Sequence, residues 1–478
     1  MTFDLPFELP TGWHVYTVEE LVKENILEKP LDGNHGGIHP KSSDYVDSGI
    51  PFVMASDMAN GSVDLNSCKF ISAEQASTLR KGFSKSGDVL LSHKATIGRT
   101  AIVQENQYDF IMLTPQVTYY RVTNRDKLSN QYLKAYFDSN FFQTMLGLWA
   151  GAGSTRAYLG ITGQLKLPII LPPIEIQNKI EKQALAFNAK LETNRQINQT
   201  LEEIAQAIFK SWFVDFEPVK AKIAAHGALI AEYQTQSGKA PSPQEIAEVE
   251  KQAAIAAIAG AGDIIPTAQL QTLADLFPNQ LVESELGEIP EGWHVKALDE
   301  VAHYQNGLAL QKFRPEKGEE FLPVLKIAQL KAGVADGKEV AKANIKKECI
   351  VDNGDVIFSW SGSLVVDIWC GGRVALNQHL FKVTSQEYPK WFYLKWTKHH
   401  LEEFQQIAKD KAVTMGHIKR SHLTEAKCVI PSDELLQCDV IESIVNKQVE
   451  CRLESVTLSE LREVLLPELL SGRVTFQG

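Results

Sequence analysis

Pro10-Thr-Gly-Trp13-His14-Val15, near the start of the chain, returns as Pro290-Glu-Gly-Trp293-His294-Val295, 280 residues later. Glu20-Leu21 and Glu300-Val301 keep that offset. Gly87-Asp88-Val89 matches Gly354-Asp355-Val356 at an offset of 267, and Thr155 and Pro172 match Thr414 and Pro431 at 259. Leu201, Ile204 and Ile208 match Leu458, Leu461 and Leu465 at 257. The order is kept and the offset only shrinks, so the chain holds two copies of one unit. The second copy is shorter by 23 residues. A period near 270 residues is far too long for a solenoid and marks a duplicated domain. Frameworks align and the stretches between them differ, as expected where loops carry function.

Each copy reads as a mixed globular part followed by a long helix. Gly49-Ile-Pro-Phe-Val-Met54 and Phe321-Leu-Pro-Val-Leu-Lys-Ile327 read as matching strands. The two Gly-Asp-Val motifs read as a turn opening a strand, and Gln116–Val122 and Gln378–Val383 as a further strand. Helices are expected over 129–146 and 389–407. The fold class is therefore α+β, with a strongly bent sheet in each globular part.

Long helices are expected next. Pro172-Pro173 before Glu175 and Ser432 before Asp433-Glu434 are helix starts with acids in the first turn. Ile197, Leu201, Ile204 and Ile208 follow heptad spacing, as do Leu458, Leu461 and Leu465. Each helix could pack on its own domain, but duplication exposes the same stripe twice and favours an antiparallel coiled-coil pair. Asn194 and Asn198 interrupt the first stripe, a device that fixes register at some cost in stability. A helix of ~39 residues spans ~58 Å, so such a pair would act as a spacer. The expected layout is domain 1 over 1–172, first helix 173–216, an Ala-rich linker or insertion 217–288, domain 2 over 289–431, and second helix with tail 432–478.

The 478 residues are 44% hydrophobic and 22% charged, the balance of a soluble globular chain with two or three domains. No apolar run reaches the ~18 residues of a membrane span, and Met1–Pro10 lacks a signal-peptide pattern. The six cysteines are scattered with no Cys-x-x-Cys pair, which points to a reducing cytoplasm and no zinc ribbon. The net charge of −11 is uneven. Residues 1–170 carry −2, 171–285 carry −6, 286–430 carry +2 and 431–478 carry −5. The near-neutral globular parts can bind DNA if their basic side chains share a face. Strong binding then calls for a partner that supplies further phosphate contact.

The motifs of common enzymes are missing. There is no phosphate-binding Gly-x-x-x-x-Gly-Lys loop, no Gly-x-Gly-x-x-Gly after a strand, no His-Glu-x-x-His and no Gly-x-Ser-x-Gly. Pro172-Pro173, between Leu171 and Ile174, is not the Asn-Pro-Pro-aromatic motif of amino-methyltransferases. His399-His400 lacks ligand spacing, so no metal is expected. Two long domains without a catalytic motif point to binding.

Pro-x-Gly-Trp after a short lead, the Gly-Asp-Val turn, a Pro-rich entry to a long helix, and a second copy of all three resemble the specificity subunits of type I restriction–modification systems. Asp275-Leu-Phe-Pro-Asn279, Ser284–Trp293, Ser211-Trp-Phe-Val-Asp-Phe216 and Leu469-Leu-Ser-Gly-Arg473 carry the same resemblance, which covers essentially the whole chain. It implies two target-recognition domains, each reading one half of a split sequence in double-stranded DNA, with the helices setting the distance. It implies assembly with two modification subunits, which bind S-adenosylmethionine and methylate adenine N6. Motor–nuclease restriction subunits are further partners. This chain itself is expected to bind no cofactor and to have no catalytic residue.

Base reading needs bidentate donors, and phosphate anchors set register. In the first domain the candidates are His35, His39 and Lys41 in Asn34–Lys41, Lys94 and Arg99 after the Gly-Asp-Val strand, and Ser154, Thr155 and Arg156 in a Gly-rich loop. In the second they are Lys312, Arg314, Lys326, Gln329, Trp360, Thr414, His417, Lys419 and Arg420. Arg156→Ala or Arg420→Ala is expected to weaken DNA binding without unfolding the protein. Trp13 and Trp293 are expected in the framework. The competing functions are a helical adaptor that bridges two partners without reading sequence, and a standalone methyltransferase or nuclease with a degenerate site.

Overall fold

A computed structural model describes residues 8–151, 157–236, 238–260, 265–410 and 416–474. The chain forms two compact units, Met1–Glu192 with Thr457–Gly478, and Thr193–Val456. Two long helices, Ile174–Phe209 and Asp439–Leu470, are shared between them. The first unit takes the start of the first helix and the end of the second. The other unit takes the remainder of both.

The Pro-x-Gly-Trp repeat is a tight turn. Gly12 and Gly292 have φ of +84° and +78°, the left-handed region that glycine tolerates. The Trp13 and Trp293 N–H groups return to the Pro10 and Pro290 carbonyls, both at 3.1 Å. The strand that follows, His14–Thr17 or His294–Ala297, pairs antiparallel with the last strand of the same globular part, Pro168–Leu171 or Lys427–Ile430.

The Gly-Asp-Val repeat has an equally definite role. Asp88 accepts from the Lys85 N–H at 2.8 Å, and Asp355 from the Asp352 N–H at 2.7 Å, which closes each turn. Arg121 donates twice to Asp88 at 2.8 Å, and Lys382 donates to Asp355 at 2.7 Å. The valine then opens the strand Val89–Lys94 or Val356–Ser359. In the first unit this strand lies between Val117–Tyr120 and Thr96–Ile102, and Leu31–Asp32 follows Val117–Tyr120. In the second it lies between Leu380–Thr384 and Val366–Ile368, with His303–Asn306 beyond. A second sheet in each unit contains a parallel pair, Ile50–Val53 with Ile111–Leu113 and Phe321–Leu325 with Val374–Leu376. A bulge between Ile97 and Thr100 bends the first sheet.

The helices differ from the expected spans by breaks. The stretch 129–146 is two helices, Asn130–Asp138 and Asn140–Trp149. Ser139 Oγ between them accepts from the Phe142 N–H at 3.2 Å and caps the second. Likewise Lys390–His399 and Leu401–Asp410 meet at His400. Ser432 caps only the short helix Asp433–Leu436, and the long helix starts at Asp439.

Residues 217–288 form helices and a hairpin. Helices Glu217–Gln236, Pro243–Gly260 and Thr267–Leu276 are followed by a hairpin of Leu281–Ser284 and Gly287–Pro290. Ala254 and Ile258 are buried in one cluster with Trp212, Phe213, Phe277 and Trp293. The Ala-rich run is therefore a packed helix face. Phe213 stacks on Trp293 at 6.0 Å and 28°. In the other unit Leu469 and Leu465 join the cluster that holds Trp13, and Gly472 lies so close to Pro10 that a Cβ would fall 2.1 Å from its Cγ. Each Trp turn is thus covered at the C-terminal side of a long helix, Trp13 by the end of the second helix and Trp293 by Phe213 just after the first.

The long helices pair antiparallel inside each unit. Arg462 donates to Asn188 Oδ1 at 3.1 Å in the first. In the second, Asn194 Nδ2 donates to Glu454 at 2.8 Å, and Gln448 donates to the Asn198 carbonyl at 3.3 Å and to Glu202 at 3.1 Å. The seam departs from the expected one. Ile197 is 37% and Leu461 52% exposed, while Asn194, Ala205 and Ile208 are buried. Leu201, Ile204, Leu458 and Leu465 are half-buried. The inward positions on the first helix run Asn194, Asn198, Leu201, Ala205, Ile208. Asn194 and Asn198 face inward as the expected polar interruptions, while Ile197, picked by hydrophobicity, turns out and Ala205 turns in.

Candidate nucleic-acid interface

Strand register gathers one set of loops at one end of the sheets in each unit. In the first unit Thr118 opposes Asp32 and Val117 opposes Ser92. The end of Leu31–Asp32, the Lys94–Thr96 hairpin and the start of Val117–Tyr120 therefore lie together. The Leu159 N–H adds its segment by donating to the His93 carbonyl at 3.1 Å. In the second unit Phe381 opposes Asn306 and Leu380 opposes Ser359. The Ile418 N–H donates to the Trp360 carbonyl at 3.0 Å. Lys326 follows the parallel strand Phe321–Leu325, whose end lies against Leu376.

Two glycines at this end make the tightest approach. A Cβ on Gly33 would meet the Leu113 carbonyl oxygen at 1.9 Å, and one on Gly307 the Asn377 oxygen at 2.3 Å. They are equivalent positions, since Asp32 and Asn306 precede them in matching register. No neighbouring residue repeats with them, so the sequence comparison missed this pair.

In the first unit, His35 Nε2 is 2.7 Å from Asp32 Oδ2, and Lys81 also contacts that carboxylate. Burial raises the Asp32 carboxyl, but hydrogen bonds from Lys81 and His35 outweigh it and hold it below the usual range. His39 is half-buried with its ring 5.6 Å from Phe52, and burial lowers its pKa. Lys41 and Lys94 are exposed. Arg99 donates to the Ala55 carbonyl at 2.8 Å, which ties its guanidinium to the framework. Ser154, Thr155 and Arg156 lie outside the described residues, as does Thr414.

In the second unit, Lys312 and Arg314 are exposed, with Arg314 and Lys326 lining one groove. Lys326 is paired with Glu339, and Gln329 is half-buried. Trp360 is half-buried, donates to the Gln378 carbonyl at 3.2 Å and packs 5.9 Å from His379 and Phe381. That places its ring in the floor rather than on an outer surface. His417 and Lys419 are exposed. Arg420 is exposed but donates to the Tyr304 carbonyl at 3.1 Å and lies 5.6 Å over Phe381.

His93 was not among the expected residues. Its side chain is fully buried, neither ring nitrogen makes a hydrogen bond, and Asp32 is 3.9 Å away. Burial pushes its pKa down to about 4, so the imidazole is neutral at pH 7. Among the described residues no helix is long and apolar enough to cross a membrane.

One framework, present twice, carries unlike side chains at the same sheet end. That describes a duplicated protein whose two heads share one backbone frame and differ in the side chains at one sheet end. The family model described as "Type I restriction modification DNA specificity domain" matches residues 10–203 and 290–440. The chain belongs to this family of DNA specificity proteins. It is 26% identical over 329 residues to a Haemophilus influenzae protein named as the type I restriction enzyme HindI specificity subunit, covering 64% of this chain and 69% of the relative. It is 22% identical over 496 residues to the MjaIX specificity subunit of Methanocaldococcus jannaschii, covering 99% of each. A crystal structure of the type I restriction–modification S subunit from M. genitalium aligns at 12% identity with a TM-score of 0.45, over 98% of each chain.

Proposed function

We propose that this chain is the DNA sequence-recognition subunit of a type I restriction–modification complex. Each globular part reads one half of a split, asymmetric target, and the chain positions modification subunits for adenine N6 methylation. The observation that carries this reading is the duplicated sheet end, where matched backbone positions hold unlike side chains, His93 or Trp360 in the floor and Gln116 or His379 beside them. Two such heads recognise two different short sequences rather than one palindrome.

Two modification subunits are the partners that bind S-adenosylmethionine and do the chemistry, and restriction subunits join to cleave. This chain contributes no catalytic group and works in the cytoplasm. Support for a shared DNA-binding task comes from charge. The globular parts are near neutral, so most phosphate neutralisation, and with it most affinity, has to come from the assembled partners. The exposed Lys41, Lys94, Lys312, Arg314 and Lys419 serve as local phosphate anchors.

The test is selection from random duplex DNA by the purified complex of this chain with its modification subunit. Enrichment of one sequence in two parts, separated by a fixed gap, supports the reading. Equal retention of all sequences favours an adaptor without readout. S-adenosylmethionine binding by the chain alone would favour a methyltransferase.

A further inference from the structure

The two copies share a position that their sequences hide. In the first unit Tyr158 forms a β-bridge with Lys94, the last residue of the central strand. In the second, His417 forms the same bridge with Ser361, just past the end of the corresponding strand. The next residue in each copy is a buried anchor, Leu159 or Ile418, whose N–H donates to the carbonyl of His93 or Trp360. His93 and Trp360 are themselves equivalent, since their N–H groups donate to the carbonyls of Gln116 and His379 at 2.9 and 3.3 Å. Because the anchor turns inward, the preceding side chain turns out. Tyr158 is 50% exposed, a large value for an aromatic ring, and His417 is exposed as well. Each rests on the ring below it, Tyr158 5.7 Å from His93 and His417 6.3 Å from Trp360.

We propose that Tyr158 and His417 are specificity-determining residues, each contacting base edges in one half of the split target from the same point of a shared backbone frame, with His93 and Trp360 as positioning residues beneath them. This rests on the DNA-reading function proposed above. The chemistry suits the task. A tyrosine hydroxyl and an imidazole can each donate or accept a hydrogen bond, and both rings offer an apolar face to a thymine methyl. A cation stands beside each to anchor phosphate, Lys94 across the bridge from Tyr158 and Lys419 two residues after His417. A fixed backbone with an outward side chain lets one residue change alter a half-site without disturbing the fold.

The experiment compares N6-methyladenine maps of a host genome when the modification subunit is expressed with the wild-type chain, with Tyr158→Ala or with His417→Ala. The expected result is that Tyr158→Ala lowers base preference about tenfold at one or two positions of one half, the scale of one lost base contact. His417→Ala does the same in the other half, and the gap stays unchanged in both. Intact motifs in both variants would overturn the inference and leave the DNA-reading function standing. Relaxation of the same half by both variants would also overturn it. A wild-type chain that directs no split motif would overturn the inference together with the function. If an alanine variant fails to assemble, Tyr158→His and His417→Tyr keep a ring at the site and are judged by the same changes in each half.

Discussion

Asn194, with no exposed side-chain surface, donates its amide to Glu454 at 2.8 Å across the helix pair of the second unit. Its Oδ1 is buried without a hydrogen-bond partner, so the seam accepts a polar cost at this point. A polar residue that finds its partner in one alignment only is a device for fixing register. Asn194→Leu should therefore leave stability unchanged or raise it by about 1 kcal/mol, while permitting more than one helix alignment. Chemical denaturation checks the first point and heterogeneity in the target gap the second. A loss of stability with a single sharp gap would show that Asn194 acts by packing.

Glu202 holds two lysines, Lys395 at 3.1 Å and Lys398 at 2.8 Å, and Lys395 is 2% exposed. Burial raises the Glu202 carboxyl, but the two positive charges prevail and bring it down to about 2. A carboxylate depressed in the folded state stabilises fully above its unfolded value near 4.5, and that contribution disappears as pH falls toward 2. Glu202→Ala should cost about 3 kcal/mol, because Lys395 is left buried without its carboxylate. Urea titrations should show the full difference between variant and wild type at pH 7 and roughly half of it or less at pH 3, with the remainder lost only as pH falls through about 2.

His93 also loses stability on acidification, but because its charged form is excluded by burial rather than held by a partner. Its pKa is lowered by burial to about 4, with Asp32, His35 and Lys94 as the charged or titratable neighbours. Between pH 6.5 and 4 the unfolded chain binds a proton that the folded chain refuses, so stability falls as pH falls through this window. The contribution amounts to about 3 kcal/mol across the window. His93→Phe should flatten the pH dependence of the melting temperature there, and an unchanged slope would assign the acid sensitivity to other groups.

Trp293 is 6% exposed and packs against Phe213, Phe216 and Phe277. Trp293→Ala should destabilise by about 3–5 kcal/mol through the lost contacts and the cavity left behind. Equilibrium denaturation measures this directly. A cost below about 1 kcal/mol would mean that the surrounding rings close over the site.

Much of the frame was legible because it needs special residues. Gly12 and Gly292 repeat since the turn needs positive φ, and Asp88 and Asp355 repeat since each closes a turn and holds a cation. Gly33 and Gly307 were invisible because each answers to one close backbone contact and no flanking residue repeats with it. The helix break at Ser139 was missed because hydrophobic spacing runs through it and only the capping bond marks it. Asn194 was legible as a polar interruption of the seam, whereas Ile197 misled because hydrophobicity does not reveal that the small Ala205 faces inward in its place. The reading positions were hardest. His417 was named with its neighbouring cations, but Tyr158 was not, because the two share a backbone place and differ in identity, so sequence comparison sees no repeat there.

The proposed role is that this chain directs modification to one split DNA sequence. The most direct measurement is a genome-wide map of N6-methyladenine in a host that expresses the modification subunit with and without this chain. The expected result is one new asymmetric motif in two parts, methylated on both strands, that appears only when the chain is present. The same methylation pattern with and without the chain, despite a purified complex of the two proteins, would contradict it.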